Sequence, residues 1–230
     1  MNLCFSWTPF EMKLATSWNF KFLDLKESQN INKDEYLYLD QVHSSRVHYL
    51  SNEDKFKESP LASADIFAVE KKTFKNINKP LLIKTADCLP IVMLDKKQEK
   101  AALVHAGWRG LARGAHRVLI DQGFFLAREL SCYVGPSLNG KYFEVAEDLR
   151  QQFPKYKDNG LIFKIITGSK GKFYFYPWKL VELEFRELNV AQINISNTST
   201  YANKAYASYR RSCHQRRPLD KEQRNFTILF

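Results

Sequence analysis

Six short strand-like runs, separated by turn signals, dominate the first half of this 230-residue chain. Each run is five or six residues long, which suits a strand and is too short for a typical helix. The runs are Glu35–Leu39, Ser45–Leu50, Asp65–Glu70, Pro80–Lys84, Pro90–Leu94 and Lys100–His105. This pattern predicts a sheet-based core, with Lys96–Glu99 as the hairpin turn between the last two runs.

The second half mixes helical and strand patterns. Apolar spacing predicts three helices, over Trp108–Phe124, Phe143–Phe153 and Pro177–Leu188. Short apolar runs predict three more strands, over Cys132–Gly135, Phe173–Tyr176 and Gln192–Ile195. Because helices and strands do not alternate strictly, we expect an α+β fold with antiparallel or mixed sheets. Without an internal repeat or a linker, residues 1–230 are predicted to form a single domain.

Composition narrows the function classes. The net charge of +10 would suit nucleic-acid binding, which also needs aromatic side chains on the basic face. Aromatic residues such as those of Phe173–Tyr176 alternate instead as in a core strand, so nucleic acid is not an expected partner. No apolar run approaches the roughly 18–20 residues that span a bilayer. The first residues lack the basic start and apolar centre of a signal peptide, which favours a cytoplasmic protein. The four cysteines form no C-x-x-C pair and are expected to be reduced thiols.

Three segments each place one metal-ligand side chain at the end of a strand-like stretch. The segments are Gln41–Ser44, Thr85–Pro90 and Val104–Gly110. Their candidate ligands are His43, Cys88 and His105. One thiolate and two imidazoles supply three ligands of a tetrahedral zinc ion and leave the fourth position to water or substrate, as in catalytic zinc sites.

Hairpin geometry explains how two of these ligands meet. A hairpin from Pro90 to His105 brings Cys88 to the end of the strand beside His105, although it does not place His43. Because proline cannot donate a ladder hydrogen bond, we expect residues Ala86–Leu89 to leave regular pairing.

The same residues permit other interpretations. Cys88 can act as a nucleophile with His105 as its base, oriented by Asp87 or a backbone carbonyl. A structural zinc site would need a fourth protein ligand, for which His48 and His214 are the candidates. Copper is possible at a Cys/His₂ site, but multicopper oxidases use roughly ten histidines and this chain has five, so zinc is expected first.

Three motifs, in order, resemble a known family. T-A-D-C-L-P-I, V-H-A-G-W-R-G and G-P-S-L-N-G-K-Y-F-E-V are similar to signatures of the YfiH family, also called the laccase-domain, polyphenol-oxidase-like or FAMIN-like family. Asp65 in Ser63–Asp65, and Ser208–Arg211, match further family positions. The resemblance covers residues 41–211.

The resemblance implies a fold, a metal site and an activity. The implied fold is a single-domain α/β/β/α sandwich related to Cys/His deamidases of the cytotoxic-necrotizing-factor type. The implied metal ligands are His43, Cys88 and His105. The implied activities are phosphorolysis of adenosine, inosine and methylthioadenosine, with nucleoside and phosphate as partners, and adenosine deamination. Copper-dependent phenol oxidation and a Cys/His hydrolase acting in peptidoglycan-precursor editing are the alternatives.

The purine interpretation gives roles to particular residues. Cys88, His105 and Asp87 form the expected catalytic set, with Asp87 as the carboxyl that shuttles a proton to the reacting base. Arg109 at the start of a helix, together with Arg210 or Arg211, is expected to bind phosphate.

Three segments depart from the family pattern, and none of them contains a candidate metal ligand. The family's N-terminal T-R-x-G-G-V-S is absent, and Phe5–Pro9 stand in that region instead. Asn197–Thr200 replaces a Cys-Thr pair, and Ser212–Pro218 replaces D-G-x-T-G-R, with Arg224 as a substitute for its last arginine.

Overall fold

Three β-sheets with short helices between them make up the protein in a computed structural model, which describes residues 18–217, 219 and 223–230. The strands are β1 Phe20–Leu23, β2 Leu37–Tyr38, β3 Val47–Tyr49, β4 Ile66–Glu70, β5 Leu81–Thr85, β6 Leu89–Asp95, β7 Lys100–Ala106, β8 Leu130–Val134, β9 Glu144–Ala146, β10 Phe163–Ile165, β11 Lys172–Phe175, β12 Gln192–Ile195 and β13 Asn225–Leu229. The helices are α1 Leu25–Ser28, α2 Lys71–Ile77, α3 Trp108–Ala112, α4 Val118–Asp121, α5 Glu147–Arg150, α6 Pro177–Glu187 and α7 Tyr209–His214.

The largest sheet has six strands in the order β12-β8-β6-β7-β4-β3. Its two outer pairs, β12–β8 and β3–β4, are parallel, whereas the inner pairs are antiparallel. The predicted mixed sheet is therefore confirmed. At its centre β6 and β7 form the predicted hairpin, in register from Leu89 opposite Ala106 to Leu94 opposite Ala101.

Alternating side chains of this sheet face two different cores. On one face, side chains such as Phe67, Val92 and Leu103 are fully buried against the four-stranded sheet β1-β13-β5-β2. On the other face, side chains such as Ile91 and Val104 pack against α6 and the three-stranded sheet β10-β11-β9. Period-two alternation thus gives each face of the central sheet an apolar surface, and the layered α/β architecture follows.

Two predicted helices are wrong in extent. Instead of one helix over Trp108–Phe124, α3 and α4 are separated by a turn in which Gly114 has a φ of +75°, a conformation that ends a right-handed helix. Within Phe143–Phe153, residues Glu144–Ala146 form β9 and pair with β11, so only α5 is helical. Pairing with a distant strand outweighs the local helical spacing there.

The helices of the described ranges are short. None of them is both long enough and apolar enough to cross a membrane.

Candidate metal centre

Three side chains from separate parts of the chain converge at one end of the β6–β7 hairpin. One ligand atom each of His43, Cys88 and His105 lies within 4.8 Å of the other two. Pairing of Pro90 with His105 sets the last two ligands side by side, as the hairpin predicted. The expectation of irregular backbone holds for residues 86–88, but Leu89 pairs with Ala106 inside the ladder. Since Pro90 lies where β8 has ended, its missing N–H removes no bond of the β6–β8 ladder.

His43 lies in the loop between β2 and β3 rather than at a strand end. Its φ of +57° is left-handed, which only a minority of non-glycine residues adopt. The Asp65 carboxylate holds this turn, because Oδ1 accepts from His43 N at 2.9 Å and Oδ2 accepts from Ser44 N and Oγ at 2.6 and 2.7 Å.

The same carboxylate orients His105. Asp65 is fully buried immediately before β4, and its Oδ1 lies 2.8 Å from His105 Nδ1. This contact leaves Nε2 as the ring atom that faces the cluster. A carboxylate behind a ligating histidine is the usual arrangement at zinc sites, where it fixes the tautomer and the ring orientation. Asp65 matched a family position in the sequence, but its contacts with two ligand segments are visible only in the fold.

Gly107 allows the ligands to approach each other. A Cβ at this position would lie 2.8 Å from His43 Cδ2 and 3.1 Å from Cys88 Sγ. Real Cβ atoms almost never come within 3.0 Å of another heavy atom, so any larger residue here would push His43 outwards. The close approach is therefore a requirement of the site.

The electrostatics of the cluster favour a thiolate. Burial alone would raise the pKa of Cys88, but the positive charge of His105 and hydrogen bonds from His105 and His43 lower this pKa to about 6. Burial alone would lower the pKa of His105, yet the Cys88 thiolate and the Asp65 carboxylate raise it to about 9. Burial opposes ionisation of Asp65 as well, but donors from His105 and Ser44 lower its pKa to about 2. Two stabilised anions, the Cys88 thiolate and the Asp65 carboxylate, thus flank the positively charged ring of His105.

A family model described as "multi-copper polyphenol oxidoreductase laccase" matches residues 19–217. The chain belongs to this family. Curated relatives include proteins named purine nucleoside phosphorylase from Pseudomonas aeruginosa, Haemophilus influenzae and Aquifex aeolicus. The first is 30% identical over 56% of this chain and 54% of its own length, so the match spans about half of that relative. The Haemophilus protein is 26% identical over 76% of this chain and 68% of its own length. The Aquifex protein is 28% identical over 85% of this chain and 84% of its own length.

Solved structures agree with the fold. A Neisseria meningitidis protein has a TM-score of 0.70 and 26% identity, covering 85% of this chain and 74% of its own. The Bacillus licheniformis protein YfiH has a TM-score of 0.75 over 97% of this chain and 98% of its own. At 14% identity, this second likeness supports the fold alone.

Asp87 does not point its carboxylate at the cluster. Oδ1 accepts from Thr200 Oγ1 at 2.7 Å, and Oδ2 accepts from Arg210 N at 2.7 Å. Among the described residues, the group of potential metal ligands consists of His43, Cys88 and His105, without Asp87. Both Asp87 oxygens therefore contact a distant loop and the first turn of α7.

The three candidate phosphate ligands differ in their surroundings. Arg109 is exposed, with its guanidinium carbon 4.4 Å from the centre of the Trp108 ring. Arg210 donates from Nη1 to the carbonyl of Glu144 at 3.1 Å and lies over the Phe143 ring. The guanidinium of Arg211 donates instead to four backbone carbonyls, those of Thr200, Tyr201, Asn203 and Tyr206. Arg211 therefore holds a loop in place.

A cleft of about 320 Å³ lies beside Trp108 and Arg210. Its lining includes Trp108, Phe143, Asp148, Leu149, Gln152 and Arg210. We refer to it as the Trp108–Arg210 cleft. Two of its lining residues are linked to the candidate ligands, because Trp108 follows Gly107 directly and Arg210 N donates a hydrogen bond to Asp87, the neighbour of Cys88. Its volume is within the range of small-molecule sites.

The two candidate fourth ligands are engaged elsewhere. His48 Nε2 lies 3.0 Å from the buried Asp54 carboxylate, and His214 Nδ1 lies 2.9 Å from the Tyr201 hydroxyl. Phe5–Pro9 and Pro218, which replace family positions, lie outside the described residues. Among the described residues the cluster thus offers three candidate ligands, which is the number that an open catalytic zinc site takes from the protein.

Proposed function

We propose that the protein is a zinc-dependent purine nucleoside enzyme that cleaves adenosine, inosine and methylthioadenosine with phosphate and deaminates adenosine. The convergence of His43, Cys88 and His105 is the observation on which this proposal depends. The names of the curated relatives supply the substrate class.

The donor set fits zinc. A thiolate with two imidazoles is a borderline-soft set, and donors on one tetrahedral zinc ion lie about 3.4–3.6 Å apart. Ligand atoms within 4.8 Å of one another reach that spacing by a small contraction. Zinc held there supplies a Lewis acid that lowers the pKa of a bound water or polarises a substrate oxygen.

The nucleoside is proposed to lie in the Trp108–Arg210 cleft, with phosphate between Arg109 and Arg210. In phosphorolysis the bond from C1′ to the base nitrogen breaks, a phosphate oxygen bonds to C1′, and the base leaves with a proton. Both guanidiniums rest on aromatic rings, which pre-orients them for an anion. Arg211 contributes by holding the loop that contains Thr200.

Metal content and turnover test the proposal together. We expect purified protein to contain about one zinc ion per chain and to release base from the three nucleosides only when phosphate is added. Cys88→Ala should lose both metal and activity, while Cys213→Ala, at an exposed thiol, should keep both. A Cys88→Ala protein that retained zinc and full activity would exclude this site.

Phosphate binding has its own test. Arg210→Ala should raise the KM for phosphate about tenfold or more, because a charged hydrogen bond contributes about 1.5–3 kcal/mol. Arg113→Ala, at an exposed arginine four positions after Arg109, is the matched control and should leave this KM unchanged. An unchanged KM in Arg210→Ala would exclude the proposed phosphate position.

A Cys/His hydrolase that edits peptidoglycan precursors is the second candidate. Asp65 contacts His105, which in turn contacts Cys88, and these contacts lower the pKa of the Cys88 thiol. This arrangement supports a nucleophilic cysteine. A hydrolase of this type would cleave precursor peptides after complete zinc removal and lose activity on alkylation of Cys88. The purine enzyme would lose phosphorolysis on zinc removal and regain it when zinc is restored.

Copper-dependent phenol oxidation is the third candidate, and the description of the family model supports it. One cluster of three ligands among the described residues provides far fewer donors than a set of copper centres needs. We expect copper-loaded protein to show no catalytic oxidation of phenols. Copper-dependent turnover of phenols would instead favour phenol oxidation over the purine nucleoside enzyme.

A further inference from the structure

Asp87 has an unusual backbone conformation next to one of the candidate metal ligands. It precedes Cys88 directly, and its φ of +92° is rare for any residue other than glycine. A backbone of this kind persists only where the surroundings hold it in place.

Three contacts hold Asp87, and each comes from a different segment. Its carbonyl accepts from Leu138 N at 2.9 Å, in the loop after β8. Its carboxylate accepts from Thr200 Oγ1 and from Arg210 N, both at 2.7 Å. The backbone before Cys88 is thus tied to two loops and to the first turn of α7.

These anchors are themselves fixed. Thr200 is fully buried, and its N–H donates to the carbonyl of Ser137 at 3.1 Å. The Arg211 guanidinium donates to the carbonyls of Thr200, Tyr201 and Tyr206. A displacement of Asp87 would therefore break its own hydrogen bonds or those that hold its anchors.

We propose that Asp87 is a positioning residue, which holds Cys88 Sγ at the correct place for the metal and links the metal cluster to Arg210 in the Trp108–Arg210 cleft. Both carboxylate oxygens accept from protein donors on the side of Thr200 and α7. Loss of a residue that orients a ligand typically weakens metal binding 10- to 100-fold. The proposal depends on the proposed metal site but not on the nucleoside substrate.

Three variants and a matched control separate positioning from proton transfer. Asp87→Gly suits the positive φ but removes both acceptors, and Asp87→Asn keeps one acceptor oxygen. Thr200→Val removes only the hydroxyl donor and keeps the side-chain shape. Thr85→Val is the control, since Thr85 is also buried and lies three positions before Cys88, but its hydroxyl has no hydrogen-bond partner among the described residues.

Zinc affinity by chelator competition, the absorption spectrum with Co²⁺ in place of zinc, and kcat are measured for all four variants. We expect Asp87→Gly to weaken zinc binding 10- to 100-fold and to change the Co²⁺ spectrum. Thr200→Val should show a smaller change in the same direction, and Asp87→Asn should recover most of the affinity. Thr85→Val should match the wild type.

Proton transfer predicts a different result, which would overturn the proposal. In that case both Asp87 variants would lose kcat equally and one limb of its pH profile, while zinc affinity and the Co²⁺ spectrum would stay unchanged in every variant. Alkylation of Cys88 by iodoacetamide in metal-free protein provides a readout that needs neither zinc nor substrate. The rate should change at least threefold in Asp87→Gly, and an unchanged rate would also contradict the proposal. Absence of zinc from the wild type would count against the proposed function instead.

Discussion

At the residue scale, the spacing of the three candidate metal ligands depends on single atoms of neighbouring residues. Gly107 brings its backbone so close to His43 and Cys88 that even one added carbon would overlap the imidazole. Asp65 acts at the same scale, because one buried carboxylate fixes the turn at His43 and the ring of His105. Gly107 and Asp65, which lie outside the group of three candidate ligands, therefore set the spacing of those ligands.

Substitution of Gly107 by alanine tests this requirement. A Cβ 2.8 Å from His43 Cδ2 must displace the imidazole, so we expect Gly107→Ala to weaken zinc binding at least about tenfold while the sheet stays folded. Gly160→Ala is the control, since a Cβ there meets no atom within 4 Å. Chelator competition measures both affinities, and equal values would show that the site tolerates the added carbon.

At the scale of elements, the six strands of the largest sheet could be predicted because their signals are local, whereas β1, β9, β10 and β13 were not predicted as strands. The runs that became β5, β6 and β7 are bounded by turn signals, and the hairpin correctly placed Cys88 beside His105. The contacts of Asp87 could not be predicted, because Thr200 and Arg210 lie 113 and 123 positions away. Sequence spacing contains no information about which loop meets which across a fold of this size.

The extent of helices was harder to predict from the sequence. Apolar spacing over Trp108–Phe124 is helical, but the left-handed Gly114 divides the segment into α3 and α4. The side chain of His116 in the intervening turn is then free to pack under α6, where its Nε2 lies 2.6 Å from Glu184 Oε2. The turn between α3 and α4 is thus attached to α6 by the contact of His116 with Glu184.

This attachment predicts a pH-dependent stability. Burial opposes ionisation of Glu184, but His116 and Arg117 lower its pKa below the ordinary 4.5. The folded state therefore gains stability above pH 4.5 and loses it as the pH falls through the lowered pKa. We expect Glu184→Gln to reduce the free energy of unfolding by about 1–3 kcal/mol near pH 7 and by progressively less below pH 4.5.

Glu182→Gln is the matched control for this prediction. Glu182 lies on the same helix, but its partners Lys179 and Arg186 belong to that helix too, so loss of the two pairs should cost about 1 kcal/mol or less. Urea unfolding of both variants at pH 7 and at pH 4 measures the difference. Equal effects of the two substitutions at pH 7 would show that the contact between α6 and His116 adds no stability.

At the scale of the whole molecule, the three candidate ligands lie outside the apolar cores, which contain none of their side chains. The central sheet buries both of its faces, one against the four-stranded sheet and the other against α6 and the three-stranded sheet. The ligand segments are attached to this frame by hydrogen bonds of Asp65 and Asp87. Metal binding is therefore expected to add stability to a structure that is already folded.

Zinc removal tests this expectation. Since the apolar cores contain none of the candidate ligands, we expect metal-free protein to keep its far-UV circular dichroism, whereas a structural zinc domain would unfold. Zinc at 100 times its Kd stabilises the folded state by about 2.7 kcal/mol, which corresponds to about 5–11 °C in Tm for a chain of this size. Cys88→Ser should show no such shift on chelation, and loss of secondary structure in the metal-free wild type would assign the ion a structural role.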